Sequence, residues 1–475
     1  MTKMVIEIPD ELKSAVQPFL AFVDVAKEAI GASAGGKAID YAAVERNMAE
    51  ASAAVERSGH EAVLRSLDVN AKHVVISGER YRRVGRYPGS YKTVAGEVKI
   101  ERSLYRRCGV RNDATVDMIS VRTGAIGDGW LPQAARGMSH LLSKETSRDA
   151  EKTVRELGRL PYSRSSFETA GHLVGAEFVR HRAEIEDALI AGYAIPETAR
   201  SVSIAIDRVS VPMEEPRKRP VGRPRKDAPK KPCEVVYRMA YCATLTMHDA
   251  KGEALHTIRH GRMPSGDPDA LADQLDSDLR ALLHKDENLN VCLLADGAHE
   301  LWNLLEARIS EESVPRGVWR LVDFWHVIEK LASAAVIMFG NDTERTAALA
   351  RWRTMLLNRY DGPQRVLQEL KASGREWVSA NNTRPVHEAI TYFTNHHDRM
   401  NYAAARQAGL PIGSGNVEAT CKTLVTMRMK RPGARWKNDT GDHVLQLRAL
   451  TASDRWNEAM TLLFAKRATP VRRAA

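Results

Sequence analysis

Two aspartates end short apolar runs that are typical of buried strands. Asp207 closes "SVSIAID" and Asp296 closes "NVCLLAD". Ligands of parallel α/β sheets bind at the carboxyl ends of the strands. Two carboxylates beside apolar strands are unfavourable unless they are paired or bound to a metal ion. Such oxygen ligands suit Mg²⁺ or Mn²⁺, and a pair of these ions activates a nucleophile and stabilises the leaving oxygen in phosphodiester chemistry.

A third acidic ligand is expected on a helix near the end of the chain. Glu418, in "GSGNVEATCK", is the only acidic residue between Arg406 and Lys437, a stretch rich in Lys and Arg. A lone glutamate among so many cations indicates a ligand better than a solvating charge. Two simpler explanations stay open: each aspartate could cap the element that follows it, and Glu418 could be a first-turn acid favoured by the helix dipole.

The elements that would position these acids follow from the hydrophobic pattern after Pro196. Three strand patterns are separated by hairpin signals, and helical patterns then alternate with the apolar strands "NVCLLAD" and "GVWRLV". The resulting order, β-β-β-α-β-α-β-α, is that of an α/β ribonuclease-H-like core, in which the first and fourth strands are neighbours. Asp207 and Asp296 would therefore share one site. Residues 343–405 show only helical patterns and predict an all-helical insertion before the last element.

The whole chain divides into seven predicted segments, and the region before the core is mainly helical. They are a helical N-terminal module (1–85), a β-hairpin segment (86–125), a helical segment with a candidate DNA-binding helix-turn-helix (126–198), the first part of the core (199–342, with a basic loop at 214–232), the helical insertion (343–405), the final catalytic helix region (406–450) and a C-terminal helix and tail (451–475).

Composition favours a polyanionic partner. The 475 residues carry a formal charge of +10 with a pI near 9.3. The five cysteines form no CxxC pair, so neither a disulfide framework nor a zinc ribbon is indicated. The N-terminus lacks a signal-peptide pattern, and the longest apolar run, "LASAAVIMF", is too short for a bilayer. We expect a cytoplasmic, nucleoid-associated protein without membrane contact.

The loop at 214–232 combines many cations with five prolines, which predicts an extended arm. Within it, "RPVGRPRK" partly matches an AT-hook, whose Gly-Arg-Pro core lies in the minor groove of A·T-rich DNA. A solvated basic linker is the alternative, and both interpretations predict salt-dependent DNA binding. The DNA-binding candidates in this loop are Arg217, Lys218, Arg219, Arg223, Arg225 and Lys226.

Three motifs together resemble the DDE transposases of bacterial insertion sequences, most closely the ISKra type, with kinship to the Mutator-like group. They are "IAIDRVSV", "LLADGAHELW" and "PIGSGNVEATCKTLVTMRMKRPGARW", and the resemblance covers about residues 90–450. It implies that Asp207, Asp296 and Glu418 are the catalytic and metal-binding triad. "DFWH" is similar to the Asp/Cys-x-x-His element of the wider group, which adds Asp323 and His326 as catalytic candidates. An N-cap and a core histidine are the alternative for that pair.

The resemblance implies a DNA transposase that holds two Mg²⁺ or Mn²⁺ ions, cuts at the transposon ends and joins them to target DNA. Its DNA partners would be the terminal inverted repeats, with residues 86–195 as their candidate reader, and the target. Cutting two ends in concert implies a homodimer or a larger assembly. A ribonuclease-H-like nuclease or resolvase, and a transposase-derived DNA-binding protein without catalysis, are the alternatives. Cations near the third acid would hold phosphates: Lys422, Arg428, Lys430, Arg431 and Arg435.

Overall fold

The structure is a computed structural model that describes residues 5, 7–33, 38–214, 235–310, 312, 314, 316–373 and 383–474. The chain divides into two compact units, one of Met1–Arg182 with Asn457–Ala475 and the other of Ala183–Trp456. Each unit contains one five-stranded sheet together with helices. The six cations proposed for the basic loop, from Arg217 to Lys226, lie outside the described residues, so their role stays a prediction.

The first unit begins with helices that pack together. A 3₁₀ turn at Asp10–Ala15 leads into α1 (Val16–Ser33), and α2 spans Tyr41–Leu67. The side chain of Asp40 caps α2 by accepting a hydrogen bond from the N–H of Ala43. Leu64 of α2 packs into a small core with Tyr91, Val98 and Ile100 of the sheet, so the second helix covers one face of the strands.

The sheet of the first unit is antiparallel throughout and has the order β10-β1-β2-β3-β4. Its strands are β1 (His73–Ile76), β2 (Glu79–Thr93), β3 (Gly96–Arg107), β4 (Val116–Asp117) and β10 (Val471–Arg473). The predicted hairpin is present with its Ala-Gly turn, but it begins at residue 79 and is extended by β1 and β10. β10 lies almost 400 residues from β1 along the chain, and a three-residue strand gives no periodic signal.

Helices complete the first unit. They are α3 (Met118–Thr123), α4 (Pro132–Lys144), α5 (Ser147–Leu157), α6 (Arg164–Arg180) and most of α18 (Trp456–Arg467). Thr146 caps α5, and Gly158 ends that helix in the left-handed conformation, with φ 62°. Two helices therefore stand where the sequence predicts a helix-turn-helix, and their DNA-binding role stays a prediction.

The second unit begins with α7 (Arg182–Gly192) and is built on a mixed sheet of order β7-β6-β5-β8-β9. Its strands are β5 (Ser201–Glu214), β6 (Val235–His248), β7 (Ala254–Arg262), β8 (Asn290–Ala295) and β9 (Val318–Val322). β5, β6 and β7 are antiparallel neighbours, whereas β8 and β9 run parallel to β5. β8 is buried from Val291 to Ala295, as expected where helices cover a sheet on both sides.

Helices alternate with the last strands in the predicted order. α8 (Pro268–Lys285) precedes β8, α9 (His299–Glu306) precedes β9, and α10 (Phe324–Met338) follows it. Asp267 caps α8 and Pro268 is its first residue, as the sequence predicts. Only helices follow among the described residues up to 407: α11 (Asp342–Asn358), α12 (Gly362–Ala372), α13 (Pro385–His396), a 3₁₀ turn (His397–Arg399) and α14 (Tyr402–Gln407).

The last elements of the second unit are a broken helix and a regular one. α15 (Gly415–Thr420) continues through a π-helical segment (Cys421–Thr426) into α16 (Met427–Met429), and α17 (Asn438–Ala452) follows. α15 packs against β5 and β6, and α17 packs against β7. No helix in the described ranges of either unit has the length and apolar character needed to cross a membrane.

Gly409 fixes the chain that leads into α15, and its replacement tests that contact. It has φ +68°, and an added Cβ would lie 2.3 Å from the carbonyl oxygen of Ala250 in the β6–β7 turn. We expect Gly409→Ala to lower the free energy of unfolding by ~2–4 kcal/mol, because left-handed strain and a backbone clash add up. Gly433→Ala is the control, because Gly433 has the same left-handed backbone (φ +77°) and an added Cβ there would have no atom within 4 Å. Equal losses in denaturant unfolding of the two variants would contradict the clash.

Candidate active site

Asp207 and Asp296 lie at the same level on neighbouring parallel strands. The pairing of β5 with β8 ends at Ala205 and Leu294, and each aspartate follows two residues later. Adjacent strands are about 4.8 Å apart, so the two carboxylates belong to one site. The predicted position of Asp207 is wrong in one respect. β5 does not end there, because its antiparallel pairing with β6 continues to Glu214 and holds the backbone in the sheet.

The carboxylate of Asp207 is half-buried and has two donors. The N–H of Arg208 donates to Oδ1 at 2.7 Å, and the thiol of Cys421 lies 3.5 Å from Oδ2. Burial raises the pKa of Asp207, these two donors oppose the shift, and the negative charge of Asp296 adds to it. The carboxyl group of Asp207 therefore lies where solvation is poor and the charge of Asp296 is near.

Asp296 begins the turn between β8 and α9. Its Oδ1 accepts a hydrogen bond from the N–H of Ala298 at 2.9 Å, and its carbonyl oxygen accepts one from the indole of Trp302 at 2.8 Å. The side chain thus combines the local turn-stabilising role that the sequence left open with a place beside Asp207. Its second carboxylate oxygen has no hydrogen bond from the described residues.

Asp323 ties the start of α10 to the segment before α15. It is fully buried, and its Oδ1 caps α10 by accepting from the N–H of His326 at 2.7 Å. Its Oδ2 accepts from both the N–H and the hydroxyl of Ser414. The N–H of Phe324 also donates to the carbonyl oxygen of Ile412, at 3.0 Å. The predicted N-cap is therefore present, and the same carboxylate fixes the chain four residues before Glu418.

Three side chains converge beside the contact between Asp323 and Ser414, which is called the Ser414 tether below. Nδ1 of His326 lies 3.5 Å from Oδ1 of Asp323 and 3.7 Å from Oε1 of Glu418. The ligand atoms of all three lie within 4.8 Å of one another, close enough for a single metal ion. His326 is not a core histidine, because 38% of its side chain is exposed.

The side chains of Asp323, His326 and Glu418 shift one another's pKa values. Hydrogen bonding to Asp323 raises the pKa of His326 to about 9. Burial alone would raise the pKa of Asp323, but hydrogen bonds from His326 and Ser414 hold it below its usual range. Burial and the charges of Asp323 and Asp207 raise the pKa of Glu418. The charge of Glu329 adds to this rise in the pKa of Glu418, and the charge of His326 opposes it.

Asp207 lies within electrostatic reach of the other two predicted acids. Asp296 acts on the pKa of Asp207, and Asp207 acts on the pKa of Glu418. Mutual repulsion among carboxylates that retain free oxygens is relieved when a divalent cation binds between them. Asp207, Asp296 and Glu418 offer oxygen atoms, the kind of ligand that Mg²⁺ and Mn²⁺ prefer. Among the described residues, however, the ligand atoms that lie within 4.8 Å of one another are those of Asp323, His326 and Glu418, and this group does not include Asp207 or Asp296.

Directly after Glu418 the helix is locally widened. The π-helical segment Cys421–Thr426 leaves carbonyl groups that the side chain of Arg448 satisfies by donating to Leu424, at 2.8 Å, and to Thr423. Such segments often occur at functional sites. Here the segment places the thiol of Cys421 against Asp207. No periodic pattern in the sequence indicates a π turn.

Two residues of the helical insertion reach the same site, and sequence reasoning missed both. Nε2 of His396 and the ring of Tyr392, both on α13, lie so close to Gly297 that a Cβ there would meet them at 3.1 and 2.4 Å. Gly297 follows Asp296 directly. His396 is 2% exposed. Its Nδ1 and the hydroxyl of Tyr392 are buried without a hydrogen-bond partner among the described residues. The helical insertion therefore packs directly against the residue that follows Asp296.

The cations after Glu418 differ in exposure. Lys422, Arg431 and Arg435 are exposed and Lys430 is half-exposed, whereas Arg428 is 7% exposed with its guanidinium 5.1 Å from the ring centre of Trp436. Arg428 thus packs inside the unit, where a phosphate cannot reach it without a rearrangement. Trp436 bridges to the end of β5 through backbone hydrogen bonds with Pro212 and Glu214. The exposed cations therefore lie near the strand from which the basic loop departs.

Comparison with known proteins gives little. No protein-family model matches the sequence, and no curated protein matches it. Among solved structures, the chain is similar to one in the Drosophila P element transposase strand transfer complex, with 13% sequence identity over 70% of this chain and 80% of that one. The TM-score is 0.23, which is too low for that likeness to support an assignment of fold or function.

Proposed function

We propose that this chain is a DNA transposase of an insertion sequence, with a ribonuclease-H-like core and a triad of Asp207, Asp296 and Glu418. The observation that carries the proposal is the level placement of Asp207 and Asp296 on adjacent parallel strands, in a sheet of order β7-β6-β5-β8-β9, with Glu418 on the helix that packs against β5 and β6. This is the arrangement that the sequence motifs lead one to expect. An ordinary pair of capping aspartates would not require a third acid whose pKa one of them raises.

The three acids would hold two Mg²⁺ or Mn²⁺ ions. When bound, such ions stabilise charge on the phosphoryl oxygens and help to deprotonate the attacking hydroxyl. Support for this metal site comes from the carboxylate oxygens that accept no hydrogen bond from the described residues and from the mutual repulsion of the carboxylates. Asp323 acts as a positioning residue, because its buried carboxylate holds the Ser414 segment and orients His326. His326, charged at neutral pH, would contact a phosphate or Glu418 from the edge of the site.

Exposed cations would hold the DNA backbone near the acids. Lys422, Lys430, Arg431 and Arg435 would contact phosphates, and Arg428 is omitted because it is buried. The recognised DNA would be the terminal inverted repeats and the target. Because two ends must be cut in concert, the active form would be a homodimer or a larger assembly on DNA.

The reaction itself is the test of this proposal. Purified protein would be incubated with Mg²⁺ and duplexes that carry the ends of its own element. We expect cleavage at the end boundary and joining of the freed 3′ end to a second DNA, with neither product in EDTA. Duplexes of the same length with scrambled ends are the control. Binding of the ends without any product would favour a DNA-binding protein without catalysis, and cleavage of branched DNA regardless of end sequence would favour a resolvase.

A further inference from the structure

One surface of the first unit carries a group of arginines that the proposed catalytic function does not use. The outer side of the sheet, away from the core of Val74, Ile76 and Tyr105, presents exposed arginines from three strands. This surface, called the arginine face below, consists of Arg80 and Arg82 on β2, Arg106 on β3 and Arg472 on β10.

Strand register places these side chains next to one another. Arg82 lies directly opposite Arg106 across the hairpin. Arg80 pairs with Val75, and Val75 pairs with Arg472, so the three form one row across β2, β1 and β10. Paired residues of antiparallel strands project from the same face. Like charges directly opposite each other destabilise a sheet, so this arrangement costs stability in the isolated protein.

The two sides of the same strands differ in charge pairing. Arg107, one residue after Arg106, points to the other side and forms an ion pair with Glu79 at 3.0 Å. Arg83, one residue after Arg82, donates to the side chain of Asn70. The four members of the arginine face have no carboxylate within ion-pair distance among the described residues. A surface of concentrated, uncompensated positive charge is complementary to a polyanion.

The pKa of His73 reflects the positive charge of this face. It lies opposite Arg82 in the sheet. Burial, together with the charges of Arg80, Lys72 and Arg82, lowers the pKa of His73. The face thus resists a further cation and would attract an anion.

We propose that the arginine face binds the phosphate backbone of duplex DNA. It spans three interstrand spacings, about 14 Å from β10 to β3. That span is similar to the ~12 Å width of a major groove, so that cations at its two edges can reach phosphates of both strands. A single strand would require a series of exposed aromatic rings. Of the tyrosines on the four described strands that form the face, only Tyr87 is largely exposed, and its ring lies over Gly85.

The test compares two double variants of the full-length protein that remove the same charge from opposite sides of the same strands. Arg82→Gln/Arg106→Gln alters the arginine face, and Arg83→Gln/Arg107→Gln is its matched control. Binding of a labelled mixed-sequence DNA duplex would be measured in EDTA over a range of salt concentrations. Loss of two phosphate contacts should reduce the slope of log K against log salt by about 1.8 and weaken binding at ~0.1 M salt by roughly tenfold to a hundredfold.

The control should keep the wild-type slope. Arg80→Gln/Arg472→Gln, on the same face but in a different row, should repeat the loss and serves if the first variant is unstable by circular dichroism. Equal slopes for the wild type and both arginine-face variants would overturn the proposal, as would an equal loss in the control. Tighter binding of a single-stranded DNA or a duplex RNA of the same sequence would also overturn it. Because no divalent ion is present, the outcome is independent of whether the protein cleaves DNA.

Discussion

Asp207→Asn is expected to abolish metal-dependent cleavage of transposon-end DNA while leaving DNA binding unchanged. The substitution keeps the size of the side chain and can still accept from the N–H of Arg208, but it removes the negative charge. Loss of one preorganised charge-stabilising group typically lowers a rate ~10²–10³-fold, and loss of a metal-binding acid should reach at least that range. Glu418→Gln should behave in the same way, because it removes the third acid without disturbing the Ser414 tether.

Metal binding can be measured apart from cleavage. Burial raises the pKa of Asp207, so its charged form at neutral pH opposes folding, and Asp207→Asn should unfold at the same or a higher temperature in EDTA. Saturating Mg²⁺ should stabilise the wild type, by ~2.7 kcal/mol at a concentration of 100 Kd, and should not stabilise the variant.

Glu329→Gln is the matched control for Glu418→Gln. Glu329 is exposed on α10, and its charge acts on the pKa values of His326 and Glu418, yet it is outside the proposed ligand set. It should retain both cleavage and stabilisation by Mg²⁺. Cleavage at the wild-type rate by Asp207→Asn or Glu418→Gln would show that the triad is assigned wrongly. An equal loss in Glu329→Gln would mean that general charge, and not ligation, decides the result.

The order of the strands in the second unit follows from the sequence because each strand is a continuous apolar run or is joined to its neighbour by a strong turn. β8 is buried on both faces, and the β6–β7 connection contains the Asp-Ala-Lys-Gly turn that the sequence indicates. That order alone predicts that Asp207 and Asp296 lie side by side. The residue at which β5 ends could not be predicted, because the antiparallel extension to Glu214 depends on pairing with β6 across a long loop.

The remaining parts of the site depend on contacts between distant residues. Ser414 meets Asp323 across 91 positions, and α13 brings His396 to Gly297 across 99. Neither contact leaves a periodic trace, since a buried histidine on a helix has the same spacing as a core residue. The sequence also does not predict that Arg428 is buried against Trp436, because a run of basic residues does not show which side chain points into the protein.

Asp323→Ala should be the most destabilising change at the site. It removes the cap of α10 and leaves the N–H and hydroxyl of buried Ser414 without an acceptor. A lost cap costs about 1 kcal/mol and hydrogen bonds to a charged group about 1.5–3 kcal/mol, so we expect a loss of ~3 kcal/mol in the free energy of unfolding. The loosened Ser414 segment would no longer hold Glu418 near His326, and cleavage should fall with stability.

Asp267→Ala separates the two effects of that change. Asp267 is the exposed cap of α8 and accepts from a single N–H, that of Asp269, so its loss should cost only about 1 kcal/mol. The loss of unfolding free energy in Asp323→Ala beyond that in Asp267→Ala measures the contribution of the Ser414 tether.

This additional loss should also depend on pH. Because the pKa of Asp323 is depressed in the folded protein, its contribution is present above about pH 4 and disappears as the pH falls through the lowered value. Denaturant unfolding in EDTA at several pH values should therefore show the stability gap closing in acid. A gap that persists unchanged at low pH would mean that packing, and not the carboxylate, joins α10 to the segment before Glu418.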